Sequence, residues 1–281
     1  MINTSKLRAY IVLIRPLNFF ITFFVVIVGS IICATEVYSI YIILMAAISA
    51  ALTAAAGNVI NDIYDKESDK INHPNRPLAK GVISDKNAWT EYFILTFIAI
   101  LISAFINQVA FVIVVLTSIL LYLYSIRLKK IPLIGNITIA YLTGLAFVYG
   151  GVAVNNVNDA IIPAVFAFMI NLIRELLKDI EDIEGDKKVE LTSFPIKFGT
   201  KAAINLITSL TIALIVITFY PFINHIYNIE FFIIVMILVN PLLVYFIKVL
   251  YEDKHYNNLN KLSNMLKLNM VFGLLAIFLG K

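Results

Sequence analysis

Nine long apolar stretches constrain the fold of this 281-residue chain more than any other feature of its sequence. A transmembrane α-helix needs about 20 consecutive, mostly apolar residues to cross the hydrocarbon core of a bilayer. The run 92–126 has 35 residues without a charge, which is too long for one crossing, and Asn107 and Gln108 interrupt it, so it predicts two helices. The predicted spans are 17–34, 37–60, the two halves of 92–126, 131–158, a span that begins at 159, 202–220, 231–250 and 262–280.

The overall composition agrees with a membrane protein. Hydrophobic residues make up 60% of the chain and charged residues 14%, whereas soluble domains average about 45–50% and about 25%. Such a composition excludes an ordinary soluble enzyme and also a disordered chain. The single cysteine, Cys33, and the widely separated His73, His225 and His255 exclude a disulfide framework and a Cys/His metal cluster. The sequence therefore predicts an all-α, polytopic membrane protein with nine transmembrane helices.

The lysine and arginine residues predict how the chain is oriented. With nine helices, one side of the membrane holds the N-terminus and the loops 61–91, 127–130, 174–201 and 248–261. Together with Lys267, that side carries 21 of the 22 Lys and Arg residues, and only Lys281 lies opposite. Because positive residues accumulate in cytoplasmic loops, we expect the N-terminus inside and the C-terminus outside the cell membrane. The first apolar stretch is too long for the hydrophobic region of a signal peptide, so we expect no cleavable signal.

An acidic motif, D-x-x-D-x-x-x-D, occurs twice. The first copy is Asp62, Asp65 and Asp69, and the second, offset by 117 residues at each aspartate, is Asp179, Asp182 and Asp186. On a helix, positions i, i+3 and i+7 share one face, so each copy predicts an acidic ridge at the cytoplasmic end of a membrane helix. The matched spacing indicates a single domain, 1–281, that contains two pseudo-repeats, with one acidic motif at 61–69 and the other at 179–186.

Two acidic ridges suit a divalent cation. Carboxylates without neighbouring His or Cys favour Mg²⁺, which normally completes its coordination with water and substrate phosphate. Facing ridges would grip a diphosphate through Mg²⁺, whereas a single ridge is equally well explained as a solvated helix end. Each nearby cation is explained by the positive-inside rule alone, and each is also placed to contact an anionic ligand. These cations are Arg76, Lys80, Arg127, Lys129, Lys130, Lys187 and Lys188.

Several motifs resemble those of the UbiA superfamily of intramembrane prenyltransferases. They are Asn61-x-x-x-Asp65-x-x-x-Asp69, Asn75-Arg76-Pro77-Leu78-x-x-Gly81, Asp182-x-x-x-Asp186, Arg15-Pro16-x-Asn18 and Tyr124-Ser125 followed by Lys129. Within the superfamily, the stretches 174–186 and 124–130 are most similar to the members that build archaeal ether lipids. One departure is that Glu190 and Leu191 stand where Gly-Ile-Lys is more usual, which weakens any role for that segment.

The resemblance implies a nine-helix bundle around a central cavity with a cytoplasmic cap, and a Mg²⁺-dependent transfer of an isoprenoid from its diphosphate. It implies catalytic roles for Asn61, Asp65, Asp69, Asp182 and Asp186, with the four aspartates as metal ligands. Asn61 would fix the diphosphate or a metal-bound water, although a helix-capping role would also explain it. The implied substrate-binding residues are Asn18, Asp62, Arg76, Lys80, Tyr124, Lys129, Lys130, Asp179 and Lys197. Aromatic residues that could shield the allylic cation are Tyr64, Tyr124, Tyr141 and Tyr149.

The acceptor is left open between two chemical classes. The finer resemblance implies transfer of geranylgeranyl from its diphosphate to geranylgeranylglyceryl phosphate, a lipophilic phosphate, with formation of an ether bond. An aromatic quinone precursor of the hydroxybenzoate or dihydroxynaphthoate type is the alternative. An ion-coupled transporter is a more distant alternative, since its acids would lie near the middle of the membrane rather than at the rim. The expected partners are the two substrates and the lipid bilayer, with no nucleic acid.

Overall fold

The computed structural model describes residues 4–36, 38–188, 192–252 and 258–281, and all regular structure in these ranges is helical. Glu190, Leu191 and His255 lie outside the described residues. The α-helices are α1 Thr4–Leu13, α2 Pro16–Cys33, α3 Ile40–Asn72, α4 Asp85–Ala104, α5 Gln108–Ile126, α6 Ile134–Ala153, α7 Ile161–Glu181, α8 Ile183–Lys188, α9 Phe194–Phe198, α10 Thr200–Ile217, α11 Tyr220–Ile223, α12 Ile229–Ile234, α13 Asn240–Glu252 and α14 Leu259–Gly280.

The described residues contain nine helical segments that are long and apolar enough to cross a membrane, which confirms the predicted number. The division of the run 92–126 is also confirmed, because α4 ends at Ala104 and α5 begins at Gln108. Asn107 caps α5: its side-chain oxygen accepts a hydrogen bond of 2.8 Å from the backbone N–H of Ala110. The polar pair that interrupts the apolar run therefore starts the second helix.

The helix α3 is much longer than the predicted span 37–60. It continues to Asn72, so the first acidic motif is part of the helix and not of the loop that follows it. The extension contains no Gly or Pro, and its straight-chain and charged residues are compatible with a helix that emerges from the apolar core of the membrane. The helix ends at Asn72 with His73 as its C-cap, and Pro74 follows, which disfavours further helix.

The eighth span contains a turn of π-helix. Helices α12 and α13 are joined by the π-helical residues Val235–Val239, so the segment 229–252 is helical throughout. Pro241 is the second residue of α13 after this turn, and a proline inside a helix lacks the N–H that would bond to the carbonyl four residues earlier. The buried side chain of Asn269 donates a 2.8 Å hydrogen bond to the Val239 carbonyl, which satisfies one backbone acceptor within the apolar surroundings.

The chain divides into two compact units, and each unit contains one acidic motif. Unit 1 comprises the described residues of Met1–Lys129 together with Leu145–Ile161. In unit 1, α3 packs against α2, α4 and α5. Four alanines on α3 are fully buried, which lets the neighbouring helices approach closely. They are Ala46, Ala47, Ala51 and Ala55.

A second close approach in unit 1 joins α2 to the end of α6. A Cβ atom on Gly150 would lie 2.6 Å from the Val26 carbonyl oxygen, so only glycine fits at this crossing. The buried Ser30 hydroxyl donates a 3.0 Å hydrogen bond to the Gly150 carbonyl across the same contact. Tyr149, one residue earlier, is also buried and donates to the Ser49 hydroxyl at 3.3 Å. Tyr149 is therefore a packed core residue, which argues against its predicted role as a shield for the allylic cation.

Unit 2 comprises Lys130–Gly144 and the described residues of Ile162–Lys281. Its apolar core is formed largely by α10, α12, α13 and α14. Here α12 and α14 cross so closely that a Cβ atom on Gly280 would meet the Phe231 side chain at 2.3 Å. Asn240 and Thr218 are both buried and are joined by a hydrogen bond of 3.1 Å, so these two polar groups inside the unit satisfy each other.

Candidate active site

The first acidic motif occupies the end of α3, where the helix places its three aspartates on one face. Asp62 and Asp69 are buried and Asp65 is half-buried, which argues against the alternative that this motif is only a solvated helix end. Asn61 lies inside the helix and not at its end. Helix capping is therefore excluded as the explanation for Asn61.

Asn61, Asp65 and Lys129 form a compact polar group. The Asn61 amide donates to Asp65 Oδ2 at 2.8 Å, while the Lys129 ammonium donates to Asp65 Oδ1. The same ammonium lies 3.5 Å from Asn61 Oδ1. Lys129 follows α5 in the chain, 64 residues after Asp65, so tertiary structure brings this predicted cation to this predicted ligand.

Two arginines neutralise the other two aspartates of the first motif. Arg76 Nη1 donates to both carboxylate oxygens of Asp69, at 2.7 and 2.6 Å, and lies 3.4 Å from Asp62 Oδ1. Arg15 Nη2 donates to the same Asp62 oxygen at 2.5 Å. Asp62 is therefore a buried carboxylate with two guanidinium neighbours, and its implied role in binding substrate stays a prediction.

Charge balance explains how three aspartates can share one helix face. Like charges three or four residues apart repel each other on a helix. Each aspartate of the first motif has a cation from the same chain as its partner, and the cations are Arg15, Arg76 and Lys129. The cluster formed by these three ion pairs is electrically neutral in formal charge.

The turn after α3 positions Arg76. Its backbone is closed by hydrogen bonds from Lys80 N to Arg76 O and from Gly81 N to Leu78 O, each 3.0 Å long. Leu78 is 1% exposed and packs in the apolar core beside Leu13, which anchors the turn. Gly81 has a φ of +73°, a backbone conformation that favours glycine. The Asn-Arg-Pro-Leu-x-x-Gly pattern is therefore a rigid turn that presents its arginine to α3.

The Arg15-Pro16-x-Asn18 segment contacts α3 one turn before the acidic motif. Arg15 adopts a φ of +53° directly before Pro16, which begins α2. The Asn18 amide donates to the Asn58 side chain at 3.5 Å, and Asn58 in turn donates to the Ile14 carbonyl at 3.2 Å. Arg15 and Asn58 were missed as site residues, although Arg15 belongs to a motif that the sequence displays.

The other predicted residues of unit 1 differ in their exposure to solvent. Lys80 is exposed and Tyr124 is half-buried. Tyr64 is exposed and its hydroxyl lies 3.5 Å from that of Tyr122. Glu67, on the opposite side of α3 from the three aspartates, pairs with Lys70 at 2.7 Å and is exposed. The helical-face argument therefore correctly separates Glu67 from the motif.

The second acidic motif lies at the end of α7 and in α8. Asp182 falls at a one-residue break between the two helices, so the motif does not lie on one uninterrupted helix as predicted. Its backbone N–H still bonds to the Lys178 carbonyl, and that of Asp186 bonds to the Asp182 carbonyl, both at 2.9 Å. The i, i+3, i+7 relation is therefore largely kept across the break. Within the described part of the chain, Asp182 forms no ion pair.

Asp179 is held by a neutral group. The Asn136 amide on α6 donates to Asp179 Oδ2 at 3.0 Å. Lys130 and Lys197, which were predicted to bind substrate, are exposed in this unit. The Lys197 ammonium lies 5.3 Å from the centroid of the Phe198 ring.

A further polar group lies earlier on α7. Arg174 Nη1 donates to Glu175 at 3.0 Å and to the Asn171 side chain at 3.4 Å. Asn171 is buried and donates to the Thr143 hydroxyl on α6 at 3.0 Å. The sequence analysis does not identify these residues, because the predicted sixth span gives way to the charged loop 174–201 at this point. Helix α7 instead continues to Glu181.

The donor atoms fit a hard cation that is bound together with a phosphate. Among the described residues, no group of three or more His, Cys, Asp or Glu side chains converges on one point. Mg²⁺ does not need such a group, since proteins usually hold it through one or two carboxylates plus water and substrate phosphate oxygens. Carboxylate and amide oxygens of Asn61, Asp65 and Asp69 supply this kind of ligand set, as do the carboxylates of Asp182 and Asp186.

The fold and the two carboxylate motifs are those of a membrane-embedded prenyltransferase. The sequence profile of the UbiA prenyltransferase family matches residues 22–271, and the chain belongs to this family. The chain is 35% identical, over 274 residues, to the digeranylgeranylglyceryl phosphate synthase of Methanosphaera stadtmanae. The aligned region covers 98% of this chain and 99% of that protein. It is 37% identical to the protein of the same name from Methanocaldococcus jannaschii, over 98% and 97% of the two chains.

Solved structures agree with this relationship. A structure of a digeranylgeranylglyceryl phosphate synthase superposes with a TM-score of 0.79 at 37% identity, over 98% of both chains. A UbiA homologue from Archaeoglobus fulgidus bound to GPP and Mg²⁺ superposes with a TM-score of 0.72 at 22% identity, over 96% of this chain and 99% of that one. The second comparison shows a shared fold.

Proposed function

We propose that this protein is a digeranylgeranylglyceryl phosphate synthase, which transfers a geranylgeranyl group from geranylgeranyl diphosphate to geranylgeranylglyceryl phosphate. The observation that carries the proposal is 35–37% identity, over 98% of the chain, to relatives that bear this name. Membership of the UbiA prenyltransferase family and the two carboxylate motifs support the reaction class.

The reaction requires the protein to stabilise a leaving anion. The bond between the allylic carbon and the diphosphate oxygen breaks, and the diphosphate keeps the electron pair. The hydroxyl oxygen of the acceptor then forms an ether bond to the allylic carbon and releases its proton. Positive groups placed where negative charge develops on the leaving group make the largest contribution to catalysis of this kind.

The acidic motifs would hold Mg²⁺ with the diphosphate. Asp65 and Asp69 supply carboxylate oxygens from the first motif, and Asp182 and Asp186 supply them from the second. When bound, the metal stabilises the charge that develops on the departing diphosphate. Asn61 orients Asp65 through its 2.8 Å hydrogen bond and offers an amide oxygen of its own.

The basic residues near the first motif would bind phosphate oxygens. Lys129 and Arg76 pair with Asp65 and Asp69, so a diphosphate that attracts the two cations would at the same time release the two carboxylates for a metal. Arginine suits this exchange, since its planar donors match both carboxylate and phosphate. The remaining proposed substrate contacts are Asn18, Lys80, Tyr124, Lys130 and Lys197.

A transfer assay tests the proposed acceptor. The purified protein in lipid nanodiscs is incubated with radiolabelled geranylgeranyl diphosphate, Mg²⁺ and one acceptor at a time. We expect product with geranylgeranylglyceryl phosphate and at least roughly tenfold less with hydroxybenzoate or dihydroxynaphthoate. Preferred labelling of an aromatic acceptor would contradict the proposal and favour the quinone-precursor alternative.

We also propose that the N-terminus and both acidic motifs are cytoplasmic and that the C-terminus is outside. The segregation of 21 of the 22 Lys and Arg residues supports this orientation. The native Cys33 is buried, so engineered cysteines can be labelled selectively. A cysteine at Asn156 should react with a membrane-impermeant maleimide in intact cells, and one at Lys70 only after permeabilisation. The opposite pattern would overturn the orientation.

A further inference from the structure

Arg174 is an ionisable residue inside a membrane-spanning helix. It lies seven residues before the end of α7 at Glu181, which is about 10 Å along the helix axis. The helical segment 158–181 is long and apolar enough to cross the membrane. Arg174 is the first charged residue of the polar end of α7, which follows the apolar part of the span and continues to Glu181.

The hydrogen bonds of Arg174 leave part of its guanidinium group unused. Its Nη1 atom donates to Glu175 at 3.0 Å and to Asn171 at 3.4 Å. Its Nε–H is buried and has no hydrogen-bond acceptor within the described part of the chain. A buried donor without an acceptor destabilises the folded protein, and an oxyanion that bound next to this edge would satisfy it.

Lys178 adds a second cation to the same helix, one turn closer to Asp182. Its ammonium lies 3.7 Å from Glu175 Oε2, so Glu175 contacts the cation on each side of it. The group formed by Arg174, Glu175 and Lys178 has a formal charge of +1. Glu175 holds the two cations in place without neutralising both of them.

We propose that Arg174 and Lys178 bind the phosphate group of the acceptor lipid, and that Glu175 is a positioning residue for both. The inference rests on the proposed function, because that reaction has a phosphate monoester as its acceptor. The diphosphate of the donor is assigned to other residues, and Arg174 precedes Asp182 by more than two helical turns, about 12 Å. Arg174 and Lys178 are thus two cations that the donor diphosphate does not use, and they are available to a second phosphate.

The site would determine which acceptors are used. A phosphate monoester carries close to two negative charges at neutral pH and has three acceptor oxygens, enough for the free Nε–H and the Lys178 ammonium together. The unphosphorylated alcohol, geranylgeranylglycerol, has the same reacting hydroxyl and the same tail but cannot make these contacts. The two acceptors thus form a matched pair of probes for this site.

Kinetics with the two acceptors test the proposal on the full-length protein in nanodiscs. The quantity measured is the phosphate preference, defined as kcat/KM for geranylgeranylglyceryl phosphate divided by kcat/KM for geranylgeranylglycerol. Arg174→Gln should lower it at least about tenfold, through KM for the phosphorylated acceptor and not through KM for the donor. The phosphate preference of Arg174→Lys, which keeps the charge but loses the Nε–H, should lie between those of Arg174→Gln and the wild type.

Lys248→Gln is the matched control, since Lys248 is an exposed cation that pairs with an acid of its own helix in the same unit. Its phosphate preference should equal that of the wild type. An unchanged preference in Arg174→Gln would overturn the proposal. Should Arg174→Gln fail to fold, Lys178→Gln provides the same comparison. The Lys178 side chain is more exposed than that of Arg174, so its replacement perturbs folding less.

Direct binding separates this inference from the proposed function. Calorimetric titration without donor should give tighter binding of geranylgeranylglyceryl phosphate than of geranylgeranylglycerol to the wild type, and no difference in Arg174→Gln. If this result is obtained but the wild type transfers no prenyl group, the site stands and the proposed reaction fails. If transfer occurs and the two lipids bind Arg174→Gln as they bind the wild type, the reaction stands and the site is wrong.

Discussion

Replacing Lys129 with methionine should increase the affinity of the substrate-free protein for divalent cations. In the wild type, the Lys129 ammonium donates to Asp65, and only 10% of the lysine and 20% of the aspartate side chain are exposed. A metal ion must displace this ammonium before Asp65 can coordinate it. Methionine has a similar length and no charge, so the substitution removes the competitor and keeps most of the packing.

The magnitude follows from the electrostatics of the pair. Two unit charges 4 Å apart attract each other by about 4 kcal/mol at an effective dielectric constant of about 20. Rearrangement and residual solvent screening reduce the advantage to the metal to about half, which corresponds to a roughly 30-fold gain in affinity. In the presence of geranylgeranyl diphosphate, Lys129→Met should instead weaken binding, since the phosphate then needs the Lys129 ammonium. KM for the donor should therefore rise.

Titration with Mn²⁺, followed by electron paramagnetic resonance of the free ion, measures the substrate-free affinity. The control is Lys70→Met, which removes an exposed lysine from α3, the helix that carries Asp65, and leaves Glu67 unpaired. Its Mn²⁺ affinity should match that of the wild type. If Lys129→Met binds Mn²⁺ no better than Lys70→Met, the ammonium does not compete with the metal, and the proposed exchange of partners at Asp65 is incorrect.

Three other outcomes are expected. Asp65→Asn and Asp182→Asn should each lower kcat at least roughly a hundredfold. The double variant should lose less than the product of the two single losses, since the effects of groups that act on one leaving group are not additive. Glu67→Gln should change kcat little, and a loss equal to that of Asp65→Asn would refute the helical-face argument. Chelation with EDTA should abolish transfer and added Mg²⁺ should restore it, whereas activity in a thoroughly chelated sample would refute the metal role. Glu91→Gln should raise the melting temperature in detergent by about 1–4 °C, because the buried Glu91 Oε2 accepts no hydrogen bond in the described part of the chain. A clear decrease in the melting temperature would show that the carboxylate charge stabilises the folded protein.

Much of the fold could be predicted because membrane crossing is decided locally. A segment of about 20 apolar residues satisfies its own backbone hydrogen bonds as a helix and is stable in lipid wherever it occurs in the chain. The number of spans and the helix break at Asn107 follow from such local properties. The ends of the helices do not, since α3 continues to Asn72 and α7 to Glu181 through charged residues that lie outside the apolar pattern.

The sequence alone also identified the residues of both acidic motifs and the family to which they belong, because residue type and spacing along one helix are sequence properties. Only the tertiary structure decided their partners. Lys129 meets Asp65 across 64 residues and Arg15 meets Asp62 across 47. Such pairs depend on how separate helices pack, and the low dielectric constant of their surroundings makes each buried charge require a partner. The same packing makes Asp62, which the sequence gives only as one member of an acidic motif, the buried partner of two arginines.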